Sequence, residues 1–73
     1  MIKVELDEVL KKRGVTGKEL CEAVGITEAN MSILRSGKAR AVRFSTLNKI
    51  CYFLKCEPAD ILKFDGQLEI EDE

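Results

Sequence analysis

The stretch "AVGITEANMSILRSGKAR", residues 23–40, decides the fold, because two glycines punctuate a single helical pattern within it. Gly25 stops the apolar periodicity that reaches it from Leu20 and Val24. A glycine there permits a left-handed backbone that costs other residues about 1 kcal/mol or more. Two helices joined by such a corner meet at a steep angle through a very short connection. Ile26 supplies an apolar plug for the corner, and Thr27 has a side chain suited to cap the next helix. That third helix should run from Glu28 to about Ser36 and close at Gly37, with Met31 and Leu34 facing the core.

Upstream, Thr16 with Glu19 three residues later reads as a capping box, opening a second helix that turns Leu20, Cys21 and Val24 inward. Leu6, Val9 and Leu10 mark a first helix, which should end near Gly14 after the basic run "KKR". Downstream, the loop "KARAVRF" leads to Ser45, read as the cap of a fourth helix. Its stripe Leu47, Ile50, Cys51, Leu54 is the most regular in the chain. Pro58 suits the first position of a short fifth helix, with Ile61 and Leu62 facing inward.

The two ends alternate apolar and polar residues, at Ile2 and Val4 and again at Leu68 and Ile70, so short terminal strands are expected. A tight hairpin at Asp65-Gly66 would set Phe64 opposite Gln67 and Leu62 opposite Glu69, splitting the apolar residues between faces. Pairing of the tail with "IKV" at the start, within or between chains, fits the pattern better; a frayed tail is the other reading. The expected class is therefore all-α, a compact five-helix bundle with short terminal strands. Residues 1–64 form its domain and residues 65–73 an acidic tail.

Composition bounds the function. The chain has 73 residues, 45% hydrophobic and 34% charged, which is ordinary for one small globular domain. No apolar run has the length of a membrane span, and "MIKVELDEVL" is too charged for a secretory segment, so a cytoplasmic protein with no membrane partner is expected. Three cysteines cannot all pair within the chain, and Cys21, Cys51 and Cys56 match no C-x-x-C spacing. Without histidine there is neither a zinc set nor the usual general base. The expectation is free thiols, no catalytic residues, no metal, no cofactor and no enzyme.

Net charge conceals an asymmetry. Residues 1–64 hold all 12 Lys and Arg against 8 Asp and Glu, a balance of +4, while residues 65–73 hold the other 5 acids and no base, giving −5 and the total of −1. From Ala29 to Cys56 there is no acid at all and the balance is +6. An acid-free basic segment following a glycine-cornered helix is what a surface pressed against a polyanion requires. A helix lying in a DNA groove needs short or hydrogen-bonding side chains outward, and here they are Thr27, Glu28, Ala29, Asn30 and Ser32. Arg35, Lys38, Arg40 and Arg43 follow as candidate phosphate contacts.

These residues carry a family resemblance. From Thr16 to Leu62, "TGKELCEAVGITEANMSILRSGKARAVRFSTLNKICYFLKCEPADIL" resembles the Cro/CI-type helix-turn-helix family, also called XRE or lambda-repressor-like. The landmarks are Glu19-Leu20, Gly25-Ile26, Met31-Ser32, Leu34, Gly37-Lys38, Leu47, Ile50, Leu54 and Asp60-Ile61-Leu62. The resemblance implies a lambda-repressor-like bundle whose second and third helices bind double-stranded DNA, usually as a homodimer on a palindromic operator. The short length is similar to that of small single-domain members.

On this reading Glu28, Ala29, Asn30, Ser32 and Ile33 are the candidate base contacts, and Lys18, Thr27, Arg35, Lys38, Arg40 and Arg43 the candidate phosphate contacts. Asn30 can pair with adenine or bond only local backbone; Ile33 can meet a thymine methyl or pack under the 38–44 loop. Glu28 either accepts from a cytosine amine or complements the helix dipole. Where the family often has glutamine at the start of the second helix this chain has Gly17, so that anchor is lost unless Lys18 or backbone N–H groups replace it. Cys21 stands where a small alanine usually packs the two helices together.

Tyr52, Phe53, Phe64, Leu68 and Ile70 exceed the needs of a small core. They are read either as a homodimer surface at the C-terminal helix, tail or terminal strands, or as an intrachain cluster. The acidic tail either solubilises the chain or folds over the basic face. The whole is read as a DNA-binding transcriptional regulator, a repressor acting by occlusion. The rival, which Gly17, Glu28 and the acidic tail favour, is a protein-interaction or antitoxin-like module on the same fold.

Overall fold

The protein is described by a computed structural model over residues 1–37 and 39–68. In chain order it runs β1 (Ile2–Val4), α1 (Asp7–Arg13), α2 (Gly17–Val24), α3 (Glu28–Arg35), α4 (Phe44–Leu54), α5 (Pro58–Ile61) and β2 (Leu62–Phe64). Five helices and two short terminal strands match the expected class.

Caps set the first half of the chain. Thr16 Oγ1 accepts from the Glu19 N–H and Glu19 Oε1 accepts from the Thr16 N–H, each at 3.1 Å, which starts α2. Gly25 ends it with φ +79° while its N–H donates to the Cys21 carbonyl at 2.8 Å. An added Cβ at Gly25 would touch nothing within 4 Å, so the demand there is conformational rather than steric. Gly25→Ala should therefore lower stability by about 1 kcal/mol. A urea titration would show it as a lower midpoint with unchanged slope. Thr27 Oγ1 accepts from the Asn30 N–H at 3.1 Å and starts α3.

The second half departs from the expected boundaries. Ser45 does not cap α4: the helix begins at Phe44, and its Arg43 N-cap makes no side-chain capping bond. The Arg43 carbonyl accepts from the Leu47 N–H at 2.9 Å, while Val42 packs against the core just before it. Packing, not capping, places this helix. Arg13 at the end of α1 donates to the Lys55 carbonyl at 3.0 Å, tying α1 to the end of α4.

Leu62 is not an inward residue of α5 but the first residue of β2, with extended backbone and a half-buried side chain. The strand partner of "IKV" is accordingly "LKF", residues 62–64, and no strand is assigned at Leu68; Ile70 lies outside the described residues. The pairing is antiparallel, Ile2 with Phe64, Lys3 with Lys63 and Val4 with Leu62, so the four apolar side chains share one face. Lys3 and Lys63, directly opposed, point their charges apart: Lys3 lies 3.5 Å from Asp65, and Lys63 donates to the Ala59 carbonyl at 2.7 Å.

The Met1 amino group binds the Asp65 carboxylate at 2.5 Å and also donates to the Gln67 carbonyl. The amino group, and then the Gln67 N–H, hold Asp65 down to about 2 from its ordinary 3.8. A depressed carboxylate stabilises the fold above its unfolded value and loses that contribution as pH falls toward the folded one. The melting difference between the protein and Asp65→Asn should thus be nearly constant between about pH 5 and pH 7 and narrow toward pH 2, as thermal melts at several pH values would show.

Twelve apolar side chains form the core, among them Leu6, Leu20, Ile50, Leu54 and Ile61, which are almost wholly inaccessible; among the described residues no polar side chain is buried. α2 packs most extensively on α4, and α3 leans on α2 at the Gly25 corner. Cys21 fits that corner: it is buried, with its thiol 3.9 Å from the Thr27 carbonyl. All three cysteines are free thiols, and burial, then neighbouring Cys51, push the Cys56 thiol above its ordinary value. Among the described residues no helix is long and apolar enough to cross a membrane.

Candidate nucleic-acid interface

The candidate site follows from how α3 is used by the core. Its period places Met31 and Leu34 inside, and the helix buries nothing else. Glu28, Ala29, Asn30, Ser32 and Ile33 are all exposed, and no segment of the described chain covers them. Thr27 is occupied as the cap: its hydroxyl oxygen accepts from the Asn30 N–H, and a hydroxyl engaged in this way still has its own hydrogen to donate. The Asn30 carboxamide makes no hydrogen bond among the described residues, while its backbone N–H serves the Thr27 cap.

Two clefts flank this exposed helix. One lies between α3 and the starts of α1 and α2, and its walls include Lys18, Glu28, Ser32 and Arg35. The other lies between α3 and the loop before α4, and its walls include Asn30, Ile33, Arg40 and Arg43. Cations therefore stand on both sides of the rod: Lys18 and Arg35 on one, Arg40 and Arg43 on the other. Ile33 borders the second cleft and stays about half exposed, at 49%, so the loop only partly covers it. Lys38 lies outside the described residues.

Arg35 occupies a place that its position in the sequence does not reveal. Its Nε donates to Asp7 Oδ1 at 2.6 Å, which turns the side chain from the end of α3 back toward α1. Asp7 is thus a neighbour of the site that sequence reasoning missed, and Gly17, read there only as a lost anchor, lies against the same side chain. The contact spans most of three helices, and no local signal marks it. Ala39 and Val42, in the basic loop, also went unread: both pack against the core and seat the loop that carries Arg40 and Arg43.

Chemically the arrangement offers an exposed helix with small and amide side chains, flanked by guanidinium and ammonium groups. That combination suits groove edges and phosphate oxygens, and it offers no nucleophile–base pair. Glu28 lies in the first turn of α3, at the positive end of the helix.

The chain is similar to known transcriptional regulators. "Uncharacterized HTH-type transcriptional regulator YozG" of Bacillus subtilis (strain 168) is 52% identical over 61 residues, covering 84% of this chain and 73% of that protein. The crystal structure of transcriptional regulator VanUg, Form II, superimposes with a TM-score of 0.69 at 29% identity, covering 85% of this chain and 84% of that one. The family profile described as the Cro/C1-type HTH DNA-binding domain matches residues 5–67. With that match over most of its length, the chain belongs to the Cro/C1-type helix-turn-helix family of DNA-binding transcriptional regulators.

Proposed function

We propose that the protein is a sequence-specific repressor that sets α3 in the major groove of an operator and excludes other proteins from it. The observation that carries this reading is the pair of clefts along α3, each bearing cations while the helix between them stays exposed. Ala29, Asn30, Ser32 and Ile33 meet base edges, and Glu28 stands at the groove-facing end of the same helix. Lys18, Thr27, Arg35, Lys38, Arg40 and Arg43 meet backbone phosphates. Residues 1–64 are the DNA-binding unit, residues 65–73 are an acidic tail, and the protein works in the cytoplasm.

A homodimer on a palindromic operator is part of the same proposal. Tyr52 and Phe64 are largely exposed and Phe53 partly so, although a small monomer gains nothing from aromatic residues in water. Self-association at this end would cover them and present two copies of α3 to half-sites about one helical turn apart.

Selection of bound duplexes from a random pool tests the proposal. A symmetric enriched site supports it, whereas an unenriched pool rejects sequence-specific reading. Anisotropy titration supplies the electrostatics: with about four phosphates neutralised per subunit, log K should fall with log salt at a slope of about −4 per subunit. If no duplex binds even at low salt, the interaction-module reading replaces this one.

A further inference from the structure

Gly17, at the first position of α2, is buried, and what buries it is the Arg35 guanidinium. An ideal Cβ at residue 17 would lie 2.3 Å from Arg35 Nη1 and 3.2 Å from its Cζ. The first distance is closer than real Cβ atoms come to any neighbour, so the guanidinium can rest there only because residue 17 has no side chain. Its backbone there is helical, so the glycine is not needed for a turn. It is a notch.

The other side of the guanidinium is held by Asp7. That bond uses Nε alone, at 2.6 Å, and Arg35 makes no other hydrogen bond or ion pair among the described residues. The Nη groups, with four N–H donors in a fixed plane, have no acceptors among the described residues and lie at the edge of the cleft that Lys18 and Ser32 share. Both partners are substantially exposed, at 43% for Arg35 and 53% for Asp7, so the pair contributes little to stability. An ion pair that adds little to the fold but fixes a planar donor set is suited to presenting that set.

We propose that Asp7 and the notch at Gly17 position the Arg35 guanidinium over the start of α2, so that its Nη donors engage one phosphodiester oxyanion of the duplex backbone. Asp7 is a positioning residue and touches no DNA. The inference rests on the DNA-binding reading above and specifies which contact anchors the α2 side of the groove.

The test uses the full chain and a labelled random-sequence duplex at low ionic strength, with thermal melting of each variant alongside. Arg35→Ala should weaken binding about tenfold and reduce the salt slope by about 1. Gly17→Ala should weaken it by about threefold or more while the melting temperature holds or rises, because alanine is the better helix former and only a side-chain tip must move. The Gly17→Ala/Arg35→Ala double variant should bind like Arg35→Ala alone. Asp7→Asn gives the sharpest sign. Removing an acid ordinarily tightens binding to a polyanion, whereas loss of positioning weakens it. Should Arg35→Ala lower the melting temperature, Arg35→Lys, which keeps the charge but not the planar fork, replaces it and should also bind more weakly. Wild-type affinity in Gly17→Ala, tighter binding by Asp7→Asn, or losses that multiply in the double variant would overturn the inference while the DNA-binding reading stands. A wild-type chain that binds no duplex at low salt overturns that reading itself.

Discussion

Leu20→Ala is expected to lower the unfolding free energy by about 3–5 kcal/mol, enough to leave the chain near its unfolding midpoint at 25 °C. Leu20 has 0% exposure and sits on α2, the helix that packs most extensively on α4. Truncation removes both the transfer energy of the lost methyl groups and the contacts around the cavity left behind. A core of this size supplies only about 3–5 kcal/mol net, so little reserve remains. Circular dichroism at 222 nm during heating should show the midpoint falling by about 20 °C or more. Tyr52→Ala is the contrast: at 87% exposure, its loss should leave the monomer's stability within about 0.5 kcal/mol. A Leu20→Ala melt close to wild type would mean that the α2–α4 packing is not the centre of the fold.

The second large effect concerns binding. Arg40→Ala with Arg43→Ala removes the two cations that the described residues bring to the cleft on the α4 side of α3. Each charged hydrogen bond to phosphate contributes about 1.5 kcal/mol, so the pair should cost about a hundredfold in affinity per subunit at low salt. The salt slope should fall by about 2. Both residues are exposed, and neither belongs to the core, so the melting temperature should barely move. The loss should also be similar for every duplex sequence, because phosphates carry no sequence information. Retained affinity, or a loss confined to one sequence, would take these arginines out of the phosphate-contacting role.

What was legible in the sequence is mostly what is local. The Thr16–Glu19 box, the Thr27 cap and the Gly25 turn each involve groups within four residues of one another, and each stands where residue type and spacing put it. Ser45 misled because hydroxyl residues often cap helices, whereas this helix starts where Val42 and Leu47 meet the core. Leu62 was legible as apolar but not as a strand residue, since its partner Val4 comes from the opposite end of the chain. The exposed face of α3 could be read from its stripe. The cations that border that face, Lys18, Arg35, Arg40 and Arg43, were all legible as candidates, but how Arg35 is held was not, since it answers to Asp7 and Gly17 across three helices.

The pairing of β1 with β2 closes a loop that includes nearly the whole chain. Loop closure on that scale carries an entropic cost that helix formation avoids, so the strands should zip up only after the helices have docked. Opening runs in reverse order. Amide hydrogens of Ile2–Val4 should exchange with heavy water well before those of α2 and α4, which makes the strand pair let go before the helices do.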